Sequence, residues 1–219
     1  MKYKLRTDLS VDIFGRKLFR IECITAFGFV KKGEIGGYIE SEKNLSVYGN
    51  AWVYGDARVY GNAWVYGDAR VYGDARVYGD AQVYGDAQVY GEIWLKFGVF
   101  KIDLKDCIKT LIGCALDIIP IKNTYIFYKK VNKIKDGEYR SLHDSEFIYR
   151  DGEIALCKEY NENSIVSCSN GLHVSTPNFW NEGDTLIAVK VHIKNIIGCA
   201  GGKVRVKRLK VIGEVFLPK

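Results

Sequence analysis

Val47-Tyr-Gly-Asn-Ala-Trp52 is followed at once by Val53-Tyr-Gly-Asp-Ala-Arg58, and the same six-residue phrase runs without insertion, eight times in all, to Val89-Tyr-Gly-Glu-Ile-Trp94. Self-similarity at a short fixed period marks a solenoid. Six residues are too few for a helical hairpin or a propeller blade. They suffice for one short strand and one bend, the unit of a parallel β-helix. Strand alternation reads Ala51, Trp52 and Val53 as in, out and in, so Ala and Val face the axis. Gly55 and Asp56 supply the bend, glycine through its access to unusual dihedrals and aspartate by bonding its own local backbone. A Val or equivalent and an aromatic in every hexad exclude a disordered tract, which goes with low hydrophobicity.

With these residues the array resembles the hexapeptide repeat of left-handed β-helix proteins, whose coils take three hexads. The resemblance implies a left-handed parallel β-helix of about three coils, each templating the next. At three hexads per coil, Trp52 stands over Arg70 and Gln88, Arg58 over Arg76 and Trp94, and Trp64 over Gln82. The tyrosines form three further columns, one through Tyr48, Tyr66 and Tyr84. Trp, Tyr and Arg are enriched at interfaces, so Trp52, Trp64, Arg58 and Arg76 are expected to form an oligomer interface. Because hexapeptide proteins commonly form trimers, the resemblance implies a homotrimer.

The array is acidic and its flanks are basic. From Ile35 to Trp94 there are four basic and eight acidic residues, whereas the whole chain carries +6 over 219 residues. The flanks therefore suit an anionic ligand better than the array does. Six cysteines, without a Cys-x-x-Cys pair, read as free thiols of a reducing cytosol. The amino end lacks an apolar signal core and no apolar run is long enough to span a bilayer, so a cytoplasmic protein with no membrane partner is expected.

Four segments follow from this reading. Residues 1–34 form a lead-in with a strand over Lys17 to Thr25. Residues 35–95 form the β-helix, opened by two degenerate hexads, Ile35-Gly-Gly-Tyr-Ile-Glu40 and Ser41-Glu-Lys-Asn-Leu-Ser46, that act as a cap. Residues 96–124 hold a capping helix. There Leu104, Cys107, Ile108, Leu111, Ile112, Ala115 and Ile119 recur at helical spacing, with Asp103 as N-cap and Pro120 as stop. Residues 125–219 form a small β-rich α+β domain with Asp-Gly turns at 136–137 and 151–152. Its strands are expected at Tyr125–Val131, Glu138–Leu142, Phe147–Arg150, Ile154–Cys157, Ser164–Cys168, Leu186–His192 and Lys203–Val215. A short helix is expected near Pro177 to Asn181.

The array offers no histidine and no interrupting loop, so the acyl-transfer chemistry of hexapeptide enzymes is not expected from the fold. All three histidines, His143, His173 and His192, lie in the last segment. Four stretches there, Tyr139-Arg-Ser-Leu142, Phe147-Ile-Tyr-Arg-Asp-Gly152, Cys168-Ser-Asn-Gly-Leu-His-Val-Ser-Thr-Pro177 and Lys203-Val-Arg-Val-Lys-Arg208, resemble an uncharacterised domain of phage proteins found behind repeat arrays. Gly171-Leu-His-Val174 is similar to a phrase of ADP-ribosyltransferase-like folds, but with His173 where their aromatic packs on nicotinamide, and Glu182 as the nearest acidic candidate. These resemblances imply a phage-type protein with a nucleotide-shaped pocket. Arg140, His173, Lys203 and Arg205 are expected to meet its phosphates, and Tyr139, Tyr149 and Trp180 to stack on its base. Lys203, Arg205 and Lys207 alternate with valines and are expected on one strand face. Cys157, Cys168 and His173 would make three zinc ligands but lack a fourth, so neither metal nor cofactor is expected.

The function expected is a homo-oligomeric binding protein that sequesters a host nucleotide-derived defence signal, ADP-ribose-like or cyclic. The alternatives are an ADP-ribosyltransferase-like enzyme and a purely structural trimeric assembly protein. Nucleic acid is not an expected partner, because a broad basic stripe with interleaved aromatics is lacking.

Overall fold

The computed structural model of the chain describes residues 1–100, 108–164 and 166–216. They form two compact units, Met1–Ala115 and Leu116–Lys219.

The first unit is a β-solenoid. A hairpin of β1 (Tyr3–Ile13) and β2 (Arg16–Cys23) leads into β3 (Ile35–Ile39). Nine two-residue strands follow: Trp52–Val53, Arg58–Val59, Trp64–Val65, Arg70–Val71, Arg76–Val77, Gln82–Val83, Gln88–Val89, Trp94–Leu95 and Val99–Phe100, named β4 to β12 in order. Each of β4 to β9 pairs in parallel with the strand three further on, giving the stacks β4-β7-β10 and β6-β9-β12. The third stack, β3-β5-β8-β11, continues outward through β2 and β1. The expected columns are observed: Trp52 pairs with Arg70 and Arg70 with Gln88, Arg58 with Arg76 and Arg76 with Trp94, and Trp64 with Gln82. The degenerate hexads supply a leading rung, with Ile39 opposite Val59 and Leu45 bridging Val65. With this rung and β12 the stack reaches about four turns, one beyond the eight perfect copies alone.

The in–out register holds throughout. The axis is filled by Ala51, Ala57, Ala69, Ala75, Ala81 and Ala87 and by the valines beside them, all fully buried. Each coil donates to the next, as in Arg58 N–H to Ala75 O (2.9 Å) and Tyr60 N–H to Val77 O (3.0 Å). The repeat glycine is required by conformation and by space together. Gly67 sits at φ +70°, and a Cβ there would come within 2.9 Å of Gly85 N in the next coil. Tyrosines one coil apart stack nearly parallel, with centroids 5.0 Å apart for Tyr54 and Tyr72 and 5.2 Å for Tyr60 and Tyr78. At the bends Asn50 Nδ2 donates to Asp68 (2.8 Å) and Asn62 Nδ2 to Asp80 (3.0 Å), so in two of the three bend columns a neutral amide stands where a further aspartate would add like charge.

The lead-in does more than precede the array. Lys2 Nζ donates to Ala51 O (2.8 Å) and Gly49 O (3.3 Å) and lies over the Phe27 ring. Buried Asn44 donates to Gly61 O (3.0 Å) and Ala63 O (2.9 Å). At the other end α1 (Ile108–Leu116) turns buried Leu111 and Ile112 inward, and Cys114 O accepts from Lys96 N–H (3.2 Å). The helix ends before the expected Pro120, because Asp117 adopts a left-handed φ of 58° directly after Leu116. The expected N-cap Asp103, with Leu104 and Cys107, lies outside the described residues.

The second unit holds β13 (Thr124–Lys135), β14 (Glu138–Arg140), β15 (Ile148–Arg150), β16 (Ile154–Leu156), β17 (Leu172–Val174), β18 (Thr185–His192), β19 (Ile196–Ala200), β20 (Lys203–Val206) and β21 (Arg208–Glu214). They make a six-stranded sheet in the order β15-β14-β13-β18-β21-β16 and a three-stranded sheet β17-β20-β19. The sheets are joined where Tyr128 and Ser175 exchange backbone hydrogen bonds of 2.9 and 3.0 Å. Strands were expected at Ser164–Cys168 and a helix near Pro177. Instead the described residues of 164–170 are turns and bends, and Pro177–Asn178 form a turn. No helix among the described residues is long and apolar enough to cross a membrane.

Val71→Asp puts an unpaired charge on the solenoid axis and is expected to cost several kcal/mol, about 2–7 on transfer grounds. Arg70→Gln, facing out, forfeits an exposed contact 4.1 Å above the Phe29 ring, worth about 0.5–1 kcal/mol. Urea denaturation of both variants checks the contrast, and equal losses would mean that the register is wrong by one residue.

Candidate functional site

In β17 the pairing sets Leu172, His173 and Val174 opposite Val206, Arg205 and Val204 of β20. His173 begins where Gly171 allows close passage: a Cβ on Gly171 (φ +148°) would lie 2.6 Å from Arg205 Cγ. His173, Trp180 and Lys203 converge on one hollow of about 440 Å³, whose wall also includes His143, Cys157, Cys168 and Glu159.

Hydrogen bonds fix how these groups are presented. His173 Nε2 lies 3.0 Å from Ser167 O, and since a carbonyl can only accept, the ring proton is on Nε2. Burial, then the charges of Lys203 and Lys129, push the His173 pKa down to about 4, so the ring is neutral at pH 7. Lys203 Nζ donates to Cys168 Sγ (2.9 Å), and Cys157 Sγ to Glu159 O (3.0 Å). Beneath His173 lies Lys129, a buried residue whose Nζ donates to His173 O (3.1 Å). Its ammonium is 5.5 Å from the Trp180 ring centroid and 5.6 Å from that of Tyr149. Burial and the Lys203 charge lower its pKa to about 8. Trp180 Nε1 is buried without a hydrogen-bond partner.

The other expected ligand residues are placed elsewhere. Tyr139 and Tyr149 are cross-strand neighbours on β14 and β15, both buried, so neither ring is free to stack on a base. Burial raises both phenols, that of Tyr139 to about 12. Arg140 is exposed on the same hairpin and does not line the hollow. Arg205 is buried, with Nη2 donating to Asn163 O and with Nε and Nη1 unpaired. The three cations expected on one face are separated. Arg205 is inside, Lys203 borders the hollow, and Lys207 leaves β20 to sit 5.8 Å from the Tyr160 ring centroid. The reason is that both faces of β20 are covered. Glu182 is exposed and off the hollow.

Lys129 was missed, yet a signal existed. Tyr125, Phe127, Lys129 and Val131 form the inward column of β13, and a lone lysine among apolar residues at period two marks a buried cation. Cys157, Cys168 and His173 do share the hollow, but among the described residues no three side chains are grouped to hold a metal ion.

The expected interface residues also divide. Trp52 is fully buried, with the rings of Phe27 and Tyr3 edge-on to it at 5.5 and 6.2 Å, so the chain itself covers that column's first member. Trp64 is 42 % exposed and stacks on Tyr66 at 4.0 Å. Arg58 and Arg76 are half-buried, and Arg76 lies 4.3 Å over the Trp94 ring.

A family model described as the YdcK beta solenoid repeat matches residues 51–67 and 69–85. The chain is a repeat β-helix protein. The match lies within the array. A search of curated proteins finds no match.

A depressed histidine pKa means that the unfolded chain binds the extra proton more readily than the folded one, so stability is full above the unfolded value and falls as pH drops. Between 6.5 and about 4 the His173 contribution should be lost progressively. His173→Gln is expected to flatten the wild-type decline in melting temperature between pH 6.5 and 5, and an unchanged slope would refute the buried neutral ring.

Proposed function

We propose that the second unit is a binding module for a small anionic ligand with a planar ring, of the nucleotide-derived class. The observation that carries this reading is the convergence of His173, Trp180 and Lys203 on one hollow of about 440 Å³. That volume lies in the range of small-molecule sites, and its mixture of an apolar ring with a few polar groups suits orientation as well as affinity. Lys203 supplies a cation at the wall and Lys129 a second beneath it, while Trp180 offers a stacking face. Asp144 and Glu159 also line the hollow, so the ligand's charge is met locally at Lys203. A binder is favoured over a transferase because Glu182, the acidic candidate that the transferase resemblance offers, stands off the hollow, and Asp144 and Glu159 line it at positions which that resemblance does not assign.

The finer reading is sequestration of a host nucleotide-derived signal, ADP-ribose-like or cyclic, by a phage-type cytoplasmic protein. It rests on the resemblance of residues 139–142, 147–152, 168–177 and 203–208 to phage proteins. Self-association of the solenoid into a trimer is part of the same proposal, supported by exposed Trp64 and Tyr48.

Titration calorimetry with ADP-ribose, NAD and cyclic dinucleotides tests the ligand. Lys203→Gln is expected to weaken binding by about tenfold, a charge-assisted bond being worth about 1.5–3 kcal/mol. No heat with any of the three would end the nucleotide reading. For assembly, light scattering is expected to give the mass of three chains, and Trp64→Ser to lower it; a monomeric wild type at micromolar concentration contradicts the trimer.

A further inference from the structure

A second hollow of the same unit, about 370 Å³, is lined by Lys190, His192, Lys194, Arg208 and Lys210 with no carboxylate among its lining residues. Its geometry comes from strand register. Lys190 of β18 and Lys210 of β21 are directly opposed. Two residues away on the same face come His192, after Lys190, and Arg208, before Lys210. The 3-10 turn Ile193–Asn195 then carries Lys194 to the rim. His192 Nδ1 accepts from Lys194 N–H (3.2 Å), so the neutral ring carries its proton on Nε2 and remains a donor.

Like charges directly opposed across a strand pair destabilise a sheet. None of these five residues enters an ion pair among the described residues. Lysine on an exposed strand is often explained as a guard against strand addition, but that explanation belongs to sheet edges. Here β18 and β21 are interior strands, flanked by β13 and β16. The hollow has no Phe, Tyr or Trp in its lining on which a base could stack. What remains is a cluster of donors with uncompensated positive charge, spaced by the sheet and open to solvent.

We propose that this hollow is an oligophosphate site, taking two or more linked phosphate groups, either of a free small molecule or of a phosphorylated lipid headgroup. Several cations on one rigid sheet meet linked phosphates simultaneously, whereas a single phosphate engages only part of the array. The site shares no residue with the His173 hollow, so either can fail alone.

The test is calorimetric titration of the full chain with sodium tripolyphosphate and, separately, with inorganic phosphate. Saturable binding of tripolyphosphate is expected, weakening with added salt. Inorganic phosphate is expected to bind at least about tenfold more weakly, as fewer charge-assisted bonds form. Lys190→Gln with Lys210→Gln should weaken tripolyphosphate binding by about tenfold or more, while Lys17→Gln, at an exposed lysine that lines neither hollow, leaves it unchanged. Removing opposed like charges should not lower the melting temperature of the free protein; should the double variant fail to fold, Arg208→Gln serves in its place. No saturable heat with the wild type, or undiminished affinity in the folded variants, overturns the proposal. Sedimentation with phosphatidylcholine vesicles containing phosphatidylinositol bisphosphate separates the sources. Co-sedimentation lost in the double variant assigns the headgroup, and tripolyphosphate binding without co-sedimentation assigns a free oligophosphate.

Discussion

A solenoid of stacked coils has a polarity that a closed barrel lacks. Within each parallel ladder donors and acceptors alternate, but the bonds at the strand ends all run one way, the earlier coil's N–H donating to the later coil's carbonyl, as Arg58 N–H to Ala75 O and Arg76 N–H to Ile93 O show. The leading end therefore exposes an excess of acceptors and the trailing end an excess of donors. Buried backbone groups left unpaired cost about as much as a lost hydrogen bond each, so the two ends need caps of opposite chemistry. The chain supplies them. Lys2 and Asn44, both donors, cover the carbonyls of Gly49, Ala51, Gly61 and Ala63. A carbonyl at the end of the capping helix covers Lys96 N–H. Placing the Lys2 ammonium there is costly, and burial lowers its pKa to about 8.

This closure shapes what the array can do. An open solenoid end is a template for adding strands, as an unprotected sheet edge is. With Lys2, Asn44 and the helix carbonyl of Cys114 on the two ends, association through the sides of the array is favoured over strand addition. There the residue types differ by column. The Trp52 column begins beneath Phe27 and Tyr3, whereas the Trp64 column is open to solvent. The tyrosine ladders spend much of each ring on its neighbour in the next coil, as between Tyr66 and Tyr84, 5.1 Å apart. An aromatic-rich sequence therefore becomes a surface with fewer free rings than its composition suggests.

Periodicity made the first unit legible. A fixed phrase fixes register, and register fixes which residues stack, so the columns through Arg70, Arg76 and Gln82 could be read without coordinates. The cap hexads were legible because they keep the period while losing the phrase. The strand Tyr3–Ile13 was not, since its alternation is broken by a register shift between Arg6 and Ser10. In the second unit, alternation located most strands but not which of their faces are covered. Arg205 alternates with valines as an outward cation would, yet a second layer of chain around Asn163 and Gly171 encloses it. Tyr139 and Tyr149 were read as available rings because nothing local distinguishes a buried tyrosine from a stacking one. His173, Trp180 and Lys203 lie far apart in sequence and meet only through the pairing of β17 with β20 and the turn after Ser175.

The dependence of the array on polar caps is open to direct measurement. Residue-resolved hydrogen exchange compares the wild type with Asn44→Leu, which removes the donor to Gly61 O and Ala63 O while keeping the side chain's bulk. If end-capping holds the stack, the amides of the first coil, Trp52, Tyr54 and Trp64 among them, lose protection, while Arg70, Tyr72 and Arg76 in the coil beyond keep theirs. The cost of two unsatisfied carbonyls, about 1–3 kcal/mol each, sets the expected scale. Equal loss along the whole array, or no loss at all, would contradict the account.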